Sequence, residues 1–366
     1  MALALLFNSL IRRVGAGISC YNHRTMTKRQ LAEFVAYLLK DAEVFAPVES
    51  NGELIVKQIS RFEEISWQKA VPMTTFKPVL LPERQVLFDY KNNQVLTEVK
   101  PAARKVAFGM RLPDLKAVGL FHQVFERDPY YQAQRKLSLL IGQTEMPLAS
   151  LKGPAGERFE EDVLEHLIFD IFLIRTSSTE WRVYTGSEKG QRALDRFGYS
   201  KYEHIEFAGL LKEEGVDPNL AKWRKLVVES HAKKIWDYWG NRCIACGKCA
   251  VDCPTCFCFD IEDEPDEAKP NQGQRVRKWT TCFYNNFSQI GGGTYSFLKT
   301  NGQRIENWYL HKFARIPREF QLIGCVNCGR CDKVCPVGIT RHDVLTSLEH
   351  PEESTPRHLK SPAKKT

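Results

Sequence analysis

The chain has 366 residues, enough for two domains of about 100–200 residues each. Its composition, 43% hydrophobic and 26% charged, suits a globular chain with a sizeable core and excludes wholesale disorder. No apolar run approaches the ~20 residues that a membrane-spanning helix needs, which excludes a transmembrane protein. The net charge of +8 divides into +3 on residues 1–25, +2 on the tail from His350 and only +3 over the rest. So thin a spread, with no basic stripe interleaved with aromatics, argues against a nucleic-acid partner.

Residues 1–25 begin apolar at Ala2–Phe7 and turn basic only afterwards, the reverse of a secretory signal. They read as a mobile or misassigned extension in which Cys20 has no role, and the folded protein is expected to begin at Met26. Thr27 and Gln30 form a capping-box pattern, followed at helical spacing by Leu31, Phe34, Val35, Leu38 and Leu39. Residues 26–217 read as an α/β domain. Lys105–Met110 is strand-like, Asp114–Phe125 helix-like and Leu137–Gly142 strand-like again, the order of a βαβ unit. Further strands are expected at Phe169–Arg175 and Trp181–Thr185. Neither GxGxxG nor GxxxxGKS/T opens a helix here, so no dinucleotide or nucleoside triphosphate site is announced.

The second domain is expected over residues 218–349. After Asp217-Pro218 a helix carries Leu220, Trp223, Val227, Ile235 and Trp239 near one face, with Gly240 as its stop signal. The acidic, proline-bearing stretch Glu262–Gln274 reads as an exposed loop, and residues 350–366 as a disordered tail.

Eleven of the twelve cysteines lie between Cys243 and Cys335. Two runs contain eight of them: Cys243-Ile-Ala-Cys246-Gly-Lys-Cys249-Ala-Val-Asp-Cys253-Pro254, and Cys325-Val-Asn-Cys328-Gly-Arg-Cys331-Asp-Lys-Val-Cys335-Pro336. Both have C-x2-C-x2-C-x3-C-P spacing, an internal repeat of a motif that binds a cubane cluster. Three thiolates spaced this way let one tight loop wrap three corners of a cluster while backbone N–H groups point at its sulfides. In two-cluster ferredoxins the fourth cysteine reaches across to the other cluster. Two [4Fe–4S] clusters are therefore expected, one on Cys243, Cys246, Cys249 and Cys335, the other on Cys325, Cys328, Cys331 and Cys253.

A structural zinc site would not need two complete runs, and disulfides would need an oxidising compartment. Lys248 and Arg330 stand at equivalent places, where a fixed positive charge either favours the reduced cluster or is simply solvated. Cys256, Cys258 and Cys282 are left over. They are either small core residues or a candidate third metal site that lacks a fourth cysteine.

The cysteine region resembles the iron–sulfur protein family formed by the sulfhydrogenase β subunit and its counterpart in anaerobic sulfite reductases. The carrying residues are Cys253-Pro-Thr-Cys-Phe-Cys-Phe259, Arg277-Lys-Trp-Thr-Thr-Cys282, Gly291-Gly-Gly293 and Tyr309-Leu-His-Lys-Phe313. The N-terminal domain is similar to the same family in Phe76-Lys-Pro-Val-Leu-Leu-Pro82, in Gly109-Met-Arg-Leu-Pro-Asp-Leu-Lys116 and in Asp128-Pro-Tyr-Tyr131. The likeness runs from Met26 to about Thr346. It departs at Pro113, where the family often has a cysteine, and over Gln143–Gly153, which lacks the family's further cysteines.

The expected architecture is α+β / α/β, an N-terminal α/β domain followed by a helical two-cluster ferredoxin-like domain. The resemblance implies an electron-transfer subunit of a cytoplasmic oxidoreductase complex, and no active site of its own is evident in the sequence. It would relay electrons between a flavoprotein subunit that oxidises NAD(P)H and a catalytic subunit, either a NiFe hydrogenase or a sulfite reductase. The alternative is a self-contained Fe–S oxidoreductase that binds its own substrate at the α/β domain.

Overall fold

The computed structural model describes residues 25–349 except 93, 98–102, 146–160, 213–217, 270 and 323. The expected extension through Arg24 with Cys20, the cysteine-poor stretch from residue 146 to Gly153, and the tail from His350 lie outside the described residues. Thr27 ends strand β1 (Thr25–Thr27) and caps helix α1 (Lys28–Leu38) through the expected capping box with Gln30. Leu31, Phe34, Val35 and Leu38 form the buried face of α1. Strands β2 (Glu43–Ser50) and β3 (Glu53–Ile59) make a hairpin turned at Asn51-Gly52, both at positive φ. Short α2 (Lys77–Leu80) and the hairpin β4 (Arg84–Lys91) with β5 (Gln94–Thr97) follow.

The expected βαβ unit is present as β6 (Lys105–Met110), α3 (Leu112–Val124), α4 (Pro129–Leu137) and β7 (Leu139–Glu145). Asp128 caps α4 by accepting from the Tyr131 amide, with Pro129 at the first helical position. Strands β8 (Ile171–Arg175) and β9 (Glu180–Thr185), helix α5 (Glu188–Phe197) and two-residue β10 (Glu203–His204) complete this region.

The main sheet has the order β1-β9-β8-β7-β6-β2-β3, with β10 added to β9. Its centre is parallel across β2, β6, β7 and β8, and these strands are apolar nearly throughout because both faces are covered. On one face α1 and α5 pack Phe34, Val35 and Leu194 against Val106, Ile141 and Ile171. On the other, α3 and α4 pack Leu115, Phe121 and Tyr131 against Ala107, Leu140 and Phe172. The N-terminal region is thus a three-layer α/β sandwich.

Beyond it lie α6 (Pro218–Glu229), α7 (Ile235–Arg242), α8 (Lys248–Val251), β11 (Phe259–Pro265) and β12 (Gln272–Trp279). They are followed by α9 (Asn301–Leu310), a π-helical turn (His311–Arg315), α10 (Ile316–Phe320), α11 (Arg330–Val334) and α12 (Arg341–Glu349).

The single helix expected after Pro218 is in fact two, broken where Ala232 takes φ 58°. Nor does Gly240 stop the second of them: it lies inside α7, where a Cβ would come within 2.3 Å of the Gly302 amide on α9. The glycine marks a close helix crossing rather than an end.

The stretch Glu262–Gln274 is not a loop either; it runs along β11 and turns into β12. Its carboxylates suit a strand because cations face them, Lys278 at Glu262, Arg275 at Asp263 and Arg84 at Glu264. The resulting sheet, β11-β12-β4-β5, draws strands from both sides of Asp217.

Candidate metal centres

Each cysteine run folds as a loop with the same backbone signature. Ala245 (φ 53°) and Gly247 (φ 74°) in the first match Asn327 (φ 54°) and Gly329 (φ 71°) in the second. Left-handed residues between ordinary ones turn successive N–H groups inward and form an anion-binding concavity. The Ala245 amide donates to Cys243 Sγ at 3.3 Å, and the Ile339 amide to Cys335 Sγ at 3.2 Å. Each loop continues into a short helix, α8 or α11, and these two helices pack on each other.

The fourth cysteines cross over. Cys335 lies with Cys243, Cys246 and Cys249. Cys253 lies with Cys325, Cys328 and Cys331, and these four line one cavity with about 300 Å³ of atom-free space. Burial pushes the Cys328 thiol up to about 11 and the Cys249 and Cys331 thiols higher than usual, so at these three the protein alone favours protonated sulfur, whereas hydrogen bonds from Cys256 and Thr255 and the Lys312 ammonium hold the Cys253 thiol well below its ordinary range. Thiolates form in such a place when iron supplies the compensating positive charge.

The second cavity also has cations that need an anion. Lys312 is 1% exposed, and its ammonium donates to Thr255 Oγ1 at 2.8 Å and the Gly324 carbonyl at 3.2 Å, with no carboxylate bonded to it. Burial by itself would lower this lysine, but the Cys253, Cys256 and Cys325 sulfurs outweigh burial and hold it raised. Arg341 Nη1 donates to Cys325 Sγ at 3.4 Å. An uncompensated buried ammonium is costly. The net negative charge of a thiolate-ligated cluster supplies the missing counter-charge, so the donor set and the buried cations fit a [4Fe–4S] group.

Several of these residues arrive from outside the cysteine runs. The π-helical turn rotates Lys312 toward Thr255, an irregularity often found at functional sites. Lys77 on α2 donates to the Val251 carbonyl at 2.8 Å and lies 3.8 Å over the Trp279 ring. Arg330, 1% exposed, donates from Nε to the Pro72 carbonyl at 2.8 Å and meets Asp114 of α3 with two nitrogens at 2.9 Å. Only the Nη2–Oδ2 contact has hydrogen-bond geometry; Nη1–Oδ1 is coulombic. Arg277 likewise pairs with Asp128, joining β12 to α4.

The roles of Lys77, Asp114, Lys312 and Arg341 were not visible in the sequence, although the first three fall within the segments that carry the family likeness. The three remaining cysteines neighbour one or other of the two sets. Cys256 adjoins Cys253, Cys258 is near Cys256, and Cys282 is near both Cys258 and Cys249. Cys282 is buried in the same core as Trp236, Ile305 and Phe283, and burial pushes its thiol up to about 12. His311, the residue that could complete a third ligand set, has its ring tilted against Phe257 at 5.7 Å, and burial lowers it to about 4. Among the described residues, no three His, Cys, Asp or Glu side chains close around a single ion-sized point. No described helix is long and apolar enough to cross a membrane.

Residues 242–339 match the 4Fe–4S dicluster domain family. The chain is 28% identical over 340 residues to sulfhydrogenase 2 subunit beta of Pyrococcus furiosus, covering 86% of this chain and 95% of that one. It is 22% identical over 162 residues to the F420-dependent formate dehydrogenase subunit beta of Methanocaldococcus jannaschii, covering 42% of this chain and 34% of that protein. No solved structure gives a significant match. The dicluster domain carries two [4Fe–4S] clusters, one-electron carriers whose potential the surrounding charges and hydrogen bonds adjust. The chain is an iron–sulfur protein of the electron-transfer kind, homologous to the sulfhydrogenase β subunit.

Proposed function

We propose that this chain relays electrons within a cytoplasmic oxidoreductase complex, between a flavoprotein subunit that oxidises NAD(P)H and a catalytic subunit. The favoured catalytic partner is a hydrogenase of the sulfhydrogenase kind rather than a sulfite reductase, because the relative matched over most of both chains is a sulfhydrogenase subunit. The carrying observation is the pair of like-shaped cysteine loops facing each other across α8 and α11. Such a pair offers two neighbouring one-electron stations and leaves the chemistry to the cofactors.

The proposed ligands are Cys243, Cys246, Cys249 and Cys335 for one cluster, and Cys325, Cys328, Cys331 and Cys253 for the other. The crossing of Cys253 and Cys335 to the opposite run supports this division. Cys256, Cys258 and Cys282 are assigned to packing, not to a third cluster. Iron analysis of anaerobically prepared chain should give about eight atoms, and the reduced protein a spin-coupled EPR spectrum, because two clusters this close interact magnetically. About four irons, or zinc, would sink the reading; about twelve would revive a third cluster.

The second reading, a substrate held by this chain itself, has one observation in its favour. A small, mostly apolar open cleft lies between the domains, lined by Lys116, His166 and Leu210, and it reaches Val326 between Cys325 and Cys328. Isolated chain that reduces sulfur or sulfite with dithionite as donor would favour it.

A further inference from the structure

The two cysteine loops differ in what covers them. Val326 and Arg330 of the second are buried against the α/β domain. In the first, Ile244 is 61% exposed, and Cys246 and Lys248 face solvent. A cluster corner open to water is where an electron can leave the chain, because transfer rates fall steeply with distance.

Beside that opening stands a small hairpin built for display. Its two ends are both tied to the first loop. Tyr284 packs on Gly247, where a Cβ would come within 2.8 Å of the tyrosine ring, and the Asn301 side chain donates to the Cys243 carbonyl at 2.7 Å. Arg304, 3% exposed, fastens the base by donating to the Tyr284 carbonyl at 2.7 Å and to Asn285 Oδ1 at 3.1 Å. Between these anchors the chain runs out and back. Gln289 bridges to Ser296, the Ile290 amide donates to the Tyr295 carbonyl, and Gly291-Gly-Gly293 forms the tip.

The hairpin's large side chains point away from the core: Ile290 is 42% exposed, Tyr295 46% and Phe297 66%. Tyr284, packed on Gly247, and Ile244 of the first loop are exposed as well, so the loop and the hairpin it anchors present apolar, aromatic-rich side chains, the composition of an interface core rather than of open surface. Lys248 and Lys299 flank them, both exposed and neither in a salt bridge among the described residues, Lys248 having only the longer-range attraction of Asp252 and Lys299 lying 4.8 Å over the Tyr295 ring. Cations on the opposite sheet are satisfied instead, as in Arg84–Glu264, Arg275–Asp263 and Lys278–Glu262.

We infer that the first cysteine loop and the Ser288–Phe297 hairpin together form the docking surface for a redox protein of the same complex. That partner presents an apolar patch ringed by carboxylates, with its own flavin or iron–sulfur group close beneath. This rests on the electron-relay reading above and adds where the relay opens and what it meets. Exposed lysines without a salt bridge favour an acidic partner surface, and the exposed cluster corner calls for a partner with a cofactor rather than a second copy of this chain.

The test uses the complex purified anaerobically through a tag on this chain. Amide hydrogen exchange of residues 243–249 and 284–298 should slow in the complex relative to the isolated iron-loaded chain. The protein that protects this region should have its own flavin or iron absorbance. Phe297→Ser and Ile290→Ser should weaken assembly by about tenfold or more, while Ile261→Ser on the other sheet leaves it unchanged. Lys248→Gln with Lys299→Gln should weaken assembly and flatten its salt dependence, since the screened attraction is gone.

Iron content and EPR of each variant, unchanged from the parent, separate failure of this surface from failure of the relay reading. Protection confined to other residues, wild-type assembly by Phe297→Ser, a dimer of this chain covering the hairpin, or a cluster-loaded chain that purifies alone would each overturn the inference.

Discussion

The two cysteine loops make a controlled comparison within one molecule. They share spacing, a glycine and a basic residue before the third cysteine, and left-handed residues at matching places. Yet the basic residue of one is a solvated lysine and that of the other a buried arginine clamped between Pro72 and Asp114. Around the second loop stand three cations, Arg330, Lys312 and Arg341, where the first has Lys248 in water. Positive charge close to a cluster in low dielectric favours its reduced form far more than a screened one. The second cluster is accordingly expected at the higher potential, and the first to be the station exposed to partners. Identical ligand chemistry thus acquires two functions from its surroundings.

The largest effect expected from breaking this comparison is loss of a whole cluster. Cys253→Ser should lower iron from about eight to about four atoms per chain. The remaining EPR signal should match that of Cys328→Ser and not that of Cys246→Ser. Cys335→Ser should show the mirror pattern. A residual signal assigned by sequence proximity instead would contradict the crossing.

Next comes the charge in each loop. Arg330→Gln leaves Asp114 buried without its partner and should cost about 3–5 kcal/mol, read by denaturant unfolding of cluster-loaded protein. Lys248→Gln at the equivalent exposed place should stay within about 0.5 kcal/mol. An EPR redox titration sharpens the same point. Lys312→Met should lower one midpoint by an amount on the order of 60 mV, a tenfold change in equilibrium, and leave the other near its parent value. Equal effects on both clusters would remove the asymmetry.

The matched glycines should separate by less. Both sit at positive φ, so alanine costs about 1–2 kcal/mol at either. At Gly247 the new Cβ also meets Thr281 at 2.7 Å and the Tyr284 ring at 2.8 Å, whereas at Gly329 nothing lies within 4 Å. Gly247→Ala is therefore the more damaging of the two, and it should disturb the hairpin as well as the first loop. Among the buried positions the smallest effect is at Cys282, where Cys282→Ala removes one buried sulfur from a core and should cost about 1 kcal/mol with iron unchanged. Lost iron or a lost paramagnetic signal there, with the two main signals intact, would make Cys282 a ligand.

Periodicity and spacing determined a good deal by themselves. The capping box at Thr27, the βαβ unit and the buried strands β6, β7 and β8 follow from local patterns that need no distant partner. The cysteine repeat announces two cubane clusters because three thiolates at that spacing must curl one way, and the 4Fe–4S dicluster match falls on the same residues.

Tertiary structure decided the rest, and each instance depends on a partner far away in the chain. Glu262–Gln274 is a strand hairpin because Arg84 and β4 lie against it, nearly two hundred residues upstream. Gly240 is a crossing point because Gly302 meets it. Lys77, Asp114 and Lys312 are ordinary charged residues in sequence, and nothing local says that they are buried. Burial turns them into parts of the electrostatic environment, because a charge taken out of water acts strongly on whatever shares its cavity. The same physics explains why two nearly identical loops differ: their thiols are set by spacing, but their fields are set by what folds over them.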